Sequence, residues 1–195
     1  MLYIEYAAIA ATVLCVVLTA RQHILCWPTG LVAVVLYSFV FFHAKLYSQF
    51  GLQFYYFYVQ IYGWHHWLHG GQHRDDLPVT LLAPQHGAAL ISLTFVGALG
   101  LGWSMSSFTD ASLPFADAFT TVAALVAQWL LARKKLEAWA FWIAVDIVSV
   151  RNFWLNDIKP SAYLYAILLL LAAWGFVAWR KSMLAQAENE AEPAA

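Results

Sequence analysis

ARQHILCWPTG (residues 20–30) and LQFYYFYVQIYGWHHW (52–67) have counterparts in ARKKLEAWAFW (132–142) and LYAILLLLAAWGFVAW (164–179), each 112 residues further along. The shift lays Trp27 on Trp139, Gly63 on Gly175, Trp67 on Trp179 and Arg21 on Arg133 without a gap. Seven identities fall across residues 20–67 and their counterparts, where composition alone gives about four, so the weight lies in which residues match. Tryptophan, and glycine inside an apolar run, are rare enough that their coincidence outweighs matched leucines. A duplicated unit follows, and function is expected where the two copies meet.

With 63% hydrophobic and 11% charged residues and a mean hydropathy of +0.65, the 195-residue chain has too little polar surface to cover a soluble globule. It reads as an integral membrane protein whose first partner is the lipid bilayer. Seven apolar stretches, near 3–20, 28–44, 46–69, 86–104, 115–133, 137–155 and 160–179, offer the roughly 20 residues a helix needs to cross the hydrocarbon. Helices are expected rather than a barrel, because backbone amides in lipid must bond internally and period-two alternation is absent. The first stretch is expected to stay as a permanent helix, since its flank carries Glu5 rather than lysine or arginine and six more stretches follow.

The expected fold class is therefore all-α integral membrane, with seven transmembrane helices in two parallel three-helix repeats joined by a linker helix. One membrane domain covers 1–181, with repeat one at 3–69, the linker at 86–104 and repeat two at 115–180. Residues 182–195 are expected to be a disordered, acidic cytoplasmic tail with nothing to bury. An odd linker returns the second triplet to the orientation of the first.

Arg21, Arg74, Arg133, Lys134, Lys135, Arg180 and Lys181 gather on one side, and Lys45, Arg151 and Lys159 on the other. The first side is then cytoplasmic, with the N-terminus outside and the C-terminus inside. A net charge of -1 and the lack of a basic cluster outside short loops argue against nucleic acid as a partner. Cys15 and Cys26 have no CxxC spacing and suggest neither a disulfide framework nor a metal site.

On the third helix Gln53, Tyr56, Gln60, Gly63, Trp64 and Trp67 project within roughly a 100° arc. A glutamine buried in lipid is costly, so the stripe is expected to face protein or a watery cavity where aromatic faces sandwich a flat ligand. Helix packing is the plainer reading, with Trp67 in the interfacial aromatic belt. The sixth helix repeats the theme with Trp139, Trp142, Asp146, Ser149 and Phe153 on one face. A mid-helix carboxylate costs about 3 kcal/mol on insertion scales unless it meets a partner, so Asp146 marks a site, or else an ion pair or hydrogen bond to Arg151 or a tyrosine. Tryptophan and aspartate together suit a flat cation.

The fifth helix adds Asp117, Thr121 and Gln128 on one face, although Asp117 also reads as a solvated helix start. Asn152 lies on the side of its helix opposite Asp146 and is not joined to the site. His65, His69 and His73 are spaced by four, with His66 beside them, a spacing that suits a metal or cofactor. No HExxH or matching carboxylate accompanies them and the run enters the polar loop of residues 70–76, so no metal and no cofactor are expected. A membrane-embedded metal or redox subunit using this cluster is the rival class, and a purely structural subunit is the third.

WPTGLVAVVLYSFVFFHAKLY (27–47), LQFYYFYVQIYGWHHW (52–67), RKKLEAWAFWIAVDIVSV (133–150) and LYAILLLLAAWG (164–175) resemble the motifs of the PnuC-type vitamin transporters, whose type member carries nicotinamide riboside. The resemblance implies a three-plus-one-plus-three fold like a full-length SWEET sugar transporter, in a bacterial inner membrane, with the vitamin bound halfway through. It implies facilitated diffusion by alternating access, with a cytoplasmic kinase trapping the vitamin and no enzymatic activity in the chain itself. No ATPase domain is then needed, and no GxxxxGK[ST] is present. Carried over by position, Gln53 matches the family's membrane glutamine and Gln60 an amide position. Trp64 and Trp67 match the YGWxxW pair, and Trp139 and Trp142 the WxxW pair.

Asp146 is the departure, since members carrying nicotinamide riboside often have asparagine there. Nicotinamide riboside and thiamine both present a flat, positively charged ring. Riboflavin, carried by other relatives, is neutral and larger and suits an acid less. The expected substrate is nicotinamide riboside, with thiamine as the alternative. Gly97, Gly100 and Gly102 permit close packing within or between protomers, which leaves a homo-oligomer open. Pro28, Pro114 and Pro160 fall near helix starts, where proline is tolerated, which leaves a hinge role for them open.

Overall fold

The computed structural model describes residues 2–45, 47–70, 77–109 and 112–191. Through them run seven helices: α1 (Leu2–Ala20), α2 (Cys26–His43), α3 (Tyr47–His69), α4 (Pro84–Phe108), α5 (Pro114–Ala132), α6 (Glu137–Leu155) and α7 (Lys159–Ala191). Each expected apolar stretch is a helix, because a segment that must satisfy its own backbone in lipid has little other choice. Pro28, Pro84, Pro114 and Pro160 all stand in first turns, where no intrahelical N–H is lost.

Five of the helices, α1, α2, α4, α5 and α7, are long and apolar enough to cross a membrane. The other two, α3 and α6, carry Gln53, Gln60, His65, His66, His69, Asp146 and Arg151, and these lower their hydropathy. The tail expected to be disordered from residue 182 is instead a continuation of α7 as far as Ala191. Arg180 and Lys181 mark a change of environment, but Ala185, Gln186, Ala187 and Glu188 are strong helix formers and extend a helix already nucleated.

The chain forms two compact units. The first comprises Met1–Val79, Ala132–Lys134 and Val177–Ala195, and the second Thr80–Leu131 and Lys135–Phe176. Within the first, Ala8, Ala20, Cys26, Trp27, Val59, Trp67 and Trp179 are buried. Within the second, α5 is lined by the buried alanines Ala118, Ala123, Ala124 and Ala127, small enough to let neighbouring helices approach closely. Phe119, Phe141 and Trp142 pack on the cluster of Ala123, Ala124 and Val145. On α4, Leu93, Phe95, Val96 and Leu99 are exposed, as lipid-facing side chains require.

The 112-residue shift reappears in the backbone. Four non-glycine residues are left-handed: Gln22 (φ 56°) pairs with Lys134 (φ 53°), and Lys45 (φ 57°) with Asp157 (φ 60°). After α1 the His23 amide donates to the Leu18 carbonyl at 2.9 Å, and after α5 the Lys135 amide donates to Leu130 at 3.0 Å. These are Schellman-type helix ends, and their hydrogen bonds offset the strain of a side chain at positive φ. Gln22→Gly should therefore raise stability by about 1 kcal/mol, read as a higher melting temperature in detergent.

The matched glycines and tryptophans have a common job. A Cβ on Gly63 would run into the indole of Trp27, and a Cβ on Gly175 would stand 2.6 Å from the indole of Trp139. In each unit, then, the first-turn tryptophan of one helix lies on a glycine of another, and the bare backbone is what lets the ring in.

One connection in the second unit is pinned. Ahead of α4, Thr80 bridges to Lys135, the Leu136 amide donates to the Thr80 carbonyl at 3.0 Å, and Lys135 Nζ donates to Thr80 Oγ1 at 2.8 Å. The Leu82 amide donates to Glu137 Oε1 at 2.9 Å, while Glu137 stands in the first turn of α6, where the helix dipole favours an acid. Glu137→Ala should cost about 2 kcal/mol of stability by thermal unfolding, the worth of a hydrogen bond to a charged group.

Candidate functional site

In the first unit Gln53 and Gln60 are both buried on α3, seven residues and so about 10 Å apart along its axis. Gln53 Nε2 donates to the Gln49 carbonyl at 3.4 Å, which leaves most of its amide uncommitted. Gln60 fills the space above Gly30, where a Cβ would strike its amide nitrogen, and lies near the Cys15 thiol with Thr19 and Thr29. That thiol donates to the Cys26 carbonyl at 3.2 Å. Tyr56 is half-buried, and Trp64 is 37% exposed. Trp67 is buried in ring contacts with Trp27 and Trp179 at 5.2 and 5.8 Å, so its place is explained by packing.

In the second unit α6 carries the counterpart. Asp146 is 3% exposed, and among the described residues it has no hydrogen-bond or ion-pair partner. Arg151, the partner that the plainer sequence reading offers, is exposed on the same helix. Ser149, one turn on, is buried, and Trp142, one turn back, is half-buried over the α5 alanines. Trp139 is buried over Gly175, a packing position equivalent to that of Trp27.

On α5, Gln128 is buried, and Asp117 and Thr121 are half-buried. Asp117 is not merely a solvated helix start: Asn152 Nδ2 donates to its Oδ1 at 3.4 Å. Asn152 continues the chain of contacts through its carbonyl to Asn156 Nδ2 at 2.8 Å, and Asn156 Oδ1 accepts from Ser112 Oγ at 2.9 Å. Sequence reasoning missed Asn152 because it compared that residue with Asp146 on one helix; the acid it serves is on α5. The available signal was a lone amide in an apolar helix.

The histidines form no joint site in view. His65 and His69 stack at 4.5 Å, with His69 Nδ1 bonded to the His65 carbonyl, and His66 stacks on Tyr62 at 5.5 Å. His73 lies outside the described residues, as does Arg74.

Set in register, the repeats differ where it counts. Gly30 and Gln60 of the first correspond to Trp142 and Ala172 of the second, and Val34 corresponds to Asp146. The polar groups therefore stand on α3 and α6, which are not equivalent helices. The polar side chains thus depart from the register that the matched tryptophans and glycines keep.

Residues 2–181 match the family model described as nicotinamide mononucleotide transporter. The chain belongs to that family. Among the relatives of this nicotinamide mononucleotide transporter family member, the nicotinamide riboside transporter PnuC of Escherichia coli (strain K12) is 27% identical, covering 92% of this chain and 86% of its own. The riboflavin/roseoflavin transporter RibM of Streptomyces davaonensis is also 27% identical, covering 82% and 76%. The crystal structure of the vitamin B3 transporter PnuC matches with a TM-score of 0.73 and 25% identity, over 93% of this chain and 82% of that one. The fold is thus that of a helical membrane transporter, and the resemblance noted in the sequence extends over nearly the whole chain.

Proposed function

We propose that this transporter takes up a vitamin or cofactor precursor across the bacterial inner membrane, nicotinamide riboside first, by facilitated diffusion with alternating access. The observation that carries the reading is the match to a transporter family along residues 2–181, together with the unpartnered Asp146 beside Trp142. A carboxylate left without a partner in a membrane helix is retained at a cost, and a cationic ring that stacks on indole would offset it. Gln53, Gln60, Trp142, Asp146 and Ser149 are the substrate-contacting residues in this reading. Tyr56, Trp64, Trp139, Asp117 and Thr121 shape or support them.

The three-plus-one-plus-three organisation is supported by the matched left-handed caps and the matched tryptophan–glycine seats. The arginines and lysines at helix ends support an N-terminus outside and a C-terminus inside. A cytoplasmic kinase would make uptake one-way by adding a charged phosphate that the carrier does not accept. Thiamine is the second reading, since it too presents a flat cationic ring to Asp146 and the resemblance pairs nicotinamide riboside with asparagine at that position.

Purified protein in proteoliposomes tests both. Radiolabelled nicotinamide riboside and thiamine are offered in parallel, with riboflavin as the neutral comparison. Saturable uptake of one cationic vitamin that stops at equal concentrations inside and out supports the proposal. Uptake of neither cation, or accumulation without a trapping kinase, counts against it.

A further inference from the structure

At one end of the first unit, helix ends close on three tryptophans. Thr19 belongs to the last turn of α1, Trp27 to the first turn of α2, Trp67 to the last turn of α3, and Trp179 to α7. Trp27 and Trp67 meet edge to face at 5.2 Å, Trp67 and Trp179 at 5.8 Å, and the Trp179 indole N–H donates to the Thr19 carbonyl at 3.0 Å. All four are buried. Into this group comes Lys134, from the turn between α5 and α6, with its Nζ 4.7 Å from the centre of the Trp67 ring. The residues Ala132–Lys134 belong to the first unit, so the contact is internal to it.

Two features set Lys134 apart. It is 4% exposed and, among the described residues, the one buried lysine or arginine. A leucine would fill an aromatic pocket at lower cost than an ammonium group drawn from water. The turn does not ask for the charge either, because Gln22 holds the equivalent left-handed position in the first repeat without one. What a lysine offers and a leucine does not is a contact for which water can compete. Buried, the ammonium rests on the negative face of an indole; released, it regains its water.

We propose that Lys134 is a releasable latch, whose contact with Trp67 holds this mouth of the first unit shut and is broken and remade during transport. The latch rests on the carrier reading above, since only a carrier needs a closure that opens at each cycle. Trp27 and Trp179 both pack on the Trp67 ring, so the moving part is the lysine side chain and its turn.

The chain carries its own reporter. Cys26 is 2% exposed, adjoins Trp27, and lies close enough to Lys134 to feel its charge. Of the two cysteines in the sequence the other is Cys15, so Cys15→Ser leaves Cys26 as the sole thiol. In that background, reconstituted protein is treated with a membrane-impermeant maleimide from each face separately. Lys134→Met keeps the aliphatic stem and removes the charge; Lys134→Arg keeps the charge. The latch predicts that the methionine variant labels about tenfold faster than its parent from one face only, and the arginine variant within about twofold of it.

Labelling of Lys134→Met at the parental rate overturns the proposal, as does arginine labelling as fast as methionine. Should the methionine variant unfold, seen as equal labelling from both faces, Trp67→Phe decides. It retains a ring with a weaker negative face, and an intermediate rate supports the latch while a parental rate overturns it. Labelling requires no vitamin. A parent that transports neither cation but shows the charge-dependent rate would strike the substrate reading and leave the latch in place.

Discussion

Gly63→Ala is expected to cost about 3 kcal/mol of stability, at the upper end of what overpacking does, and to leave little folded protein in detergent. The added methyl has nowhere to go. It would overlap the six-membered ring of Trp27, which is buried at the start of α2 and held edge to face by Trp67. The backbone of α3 cannot retreat without unseating Gln60 from its place above Gly30. The test is a double-mutant cycle read by thermal unfolding. Trp27→Leu alone is also destabilising, but combined with Gly63→Ala the two costs should fall well short of additive, because the smaller side chain gives the methyl room. Strict additivity would mean that ring and glycine do not form one seat. The same pair of changes at Trp139 and Gly175 should behave alike, since the second unit repeats the arrangement.

Asp146→Leu is expected to do the opposite: abolish uptake while leaving the protein as stable as before, or more so by about 1–3 kcal/mol. The carboxylate is buried and has no hydrogen-bond or ion-pair partner among the described residues, so removing it breaks no contact and lifts a desolvation penalty. Stability and activity thus move apart, which is the signature of a residue kept for ligand rather than for structure. Asp146→Asn keeps the shape and removes the charge, and should weaken thiamine more than nicotinamide riboside, whose carriers often have asparagine here. Uptake assays and melting curves on the same preparations check both statements. A leucine variant that melts well below the parent would show that the acid is structural after all.

How much of this was legible from the residues depends on what each inference had to see. Apolar runs became helices almost residue for residue, as at Glu137–Leu155, because lipid leaves a backbone few alternatives. The end of α7 was misjudged because a change in polarity at Arg180 and Lys181 was taken for a change in secondary structure. Helical-wheel arithmetic found the buried amides and acid, Gln53, Gln60 and Asp146. It had no power to separate Trp64, which is exposed, from Trp67, which is buried, since both lie within one broad arc. Nor does a single helix reveal that Trp139 sits on Gly175 or that Asn152 serves Asp117; those partners are on other helices. The 112-residue correspondence is clearer in the backbone than in the letters. Its left-handed caps are Gln22 and Lys134, Lys45 and Asp157, pairs that no identity score would join.

The length of α7 has a practical sequel. Its 33 residues span about 50 Å against a hydrocarbon thickness of about 30 Å, so the helix is longer than an upright crossing needs and continues as helix through its polar end. A dye placed at Glu188 would keep a fixed orientation to the membrane normal, and its polarised emission would show whether that helix swings as the carrier turns over.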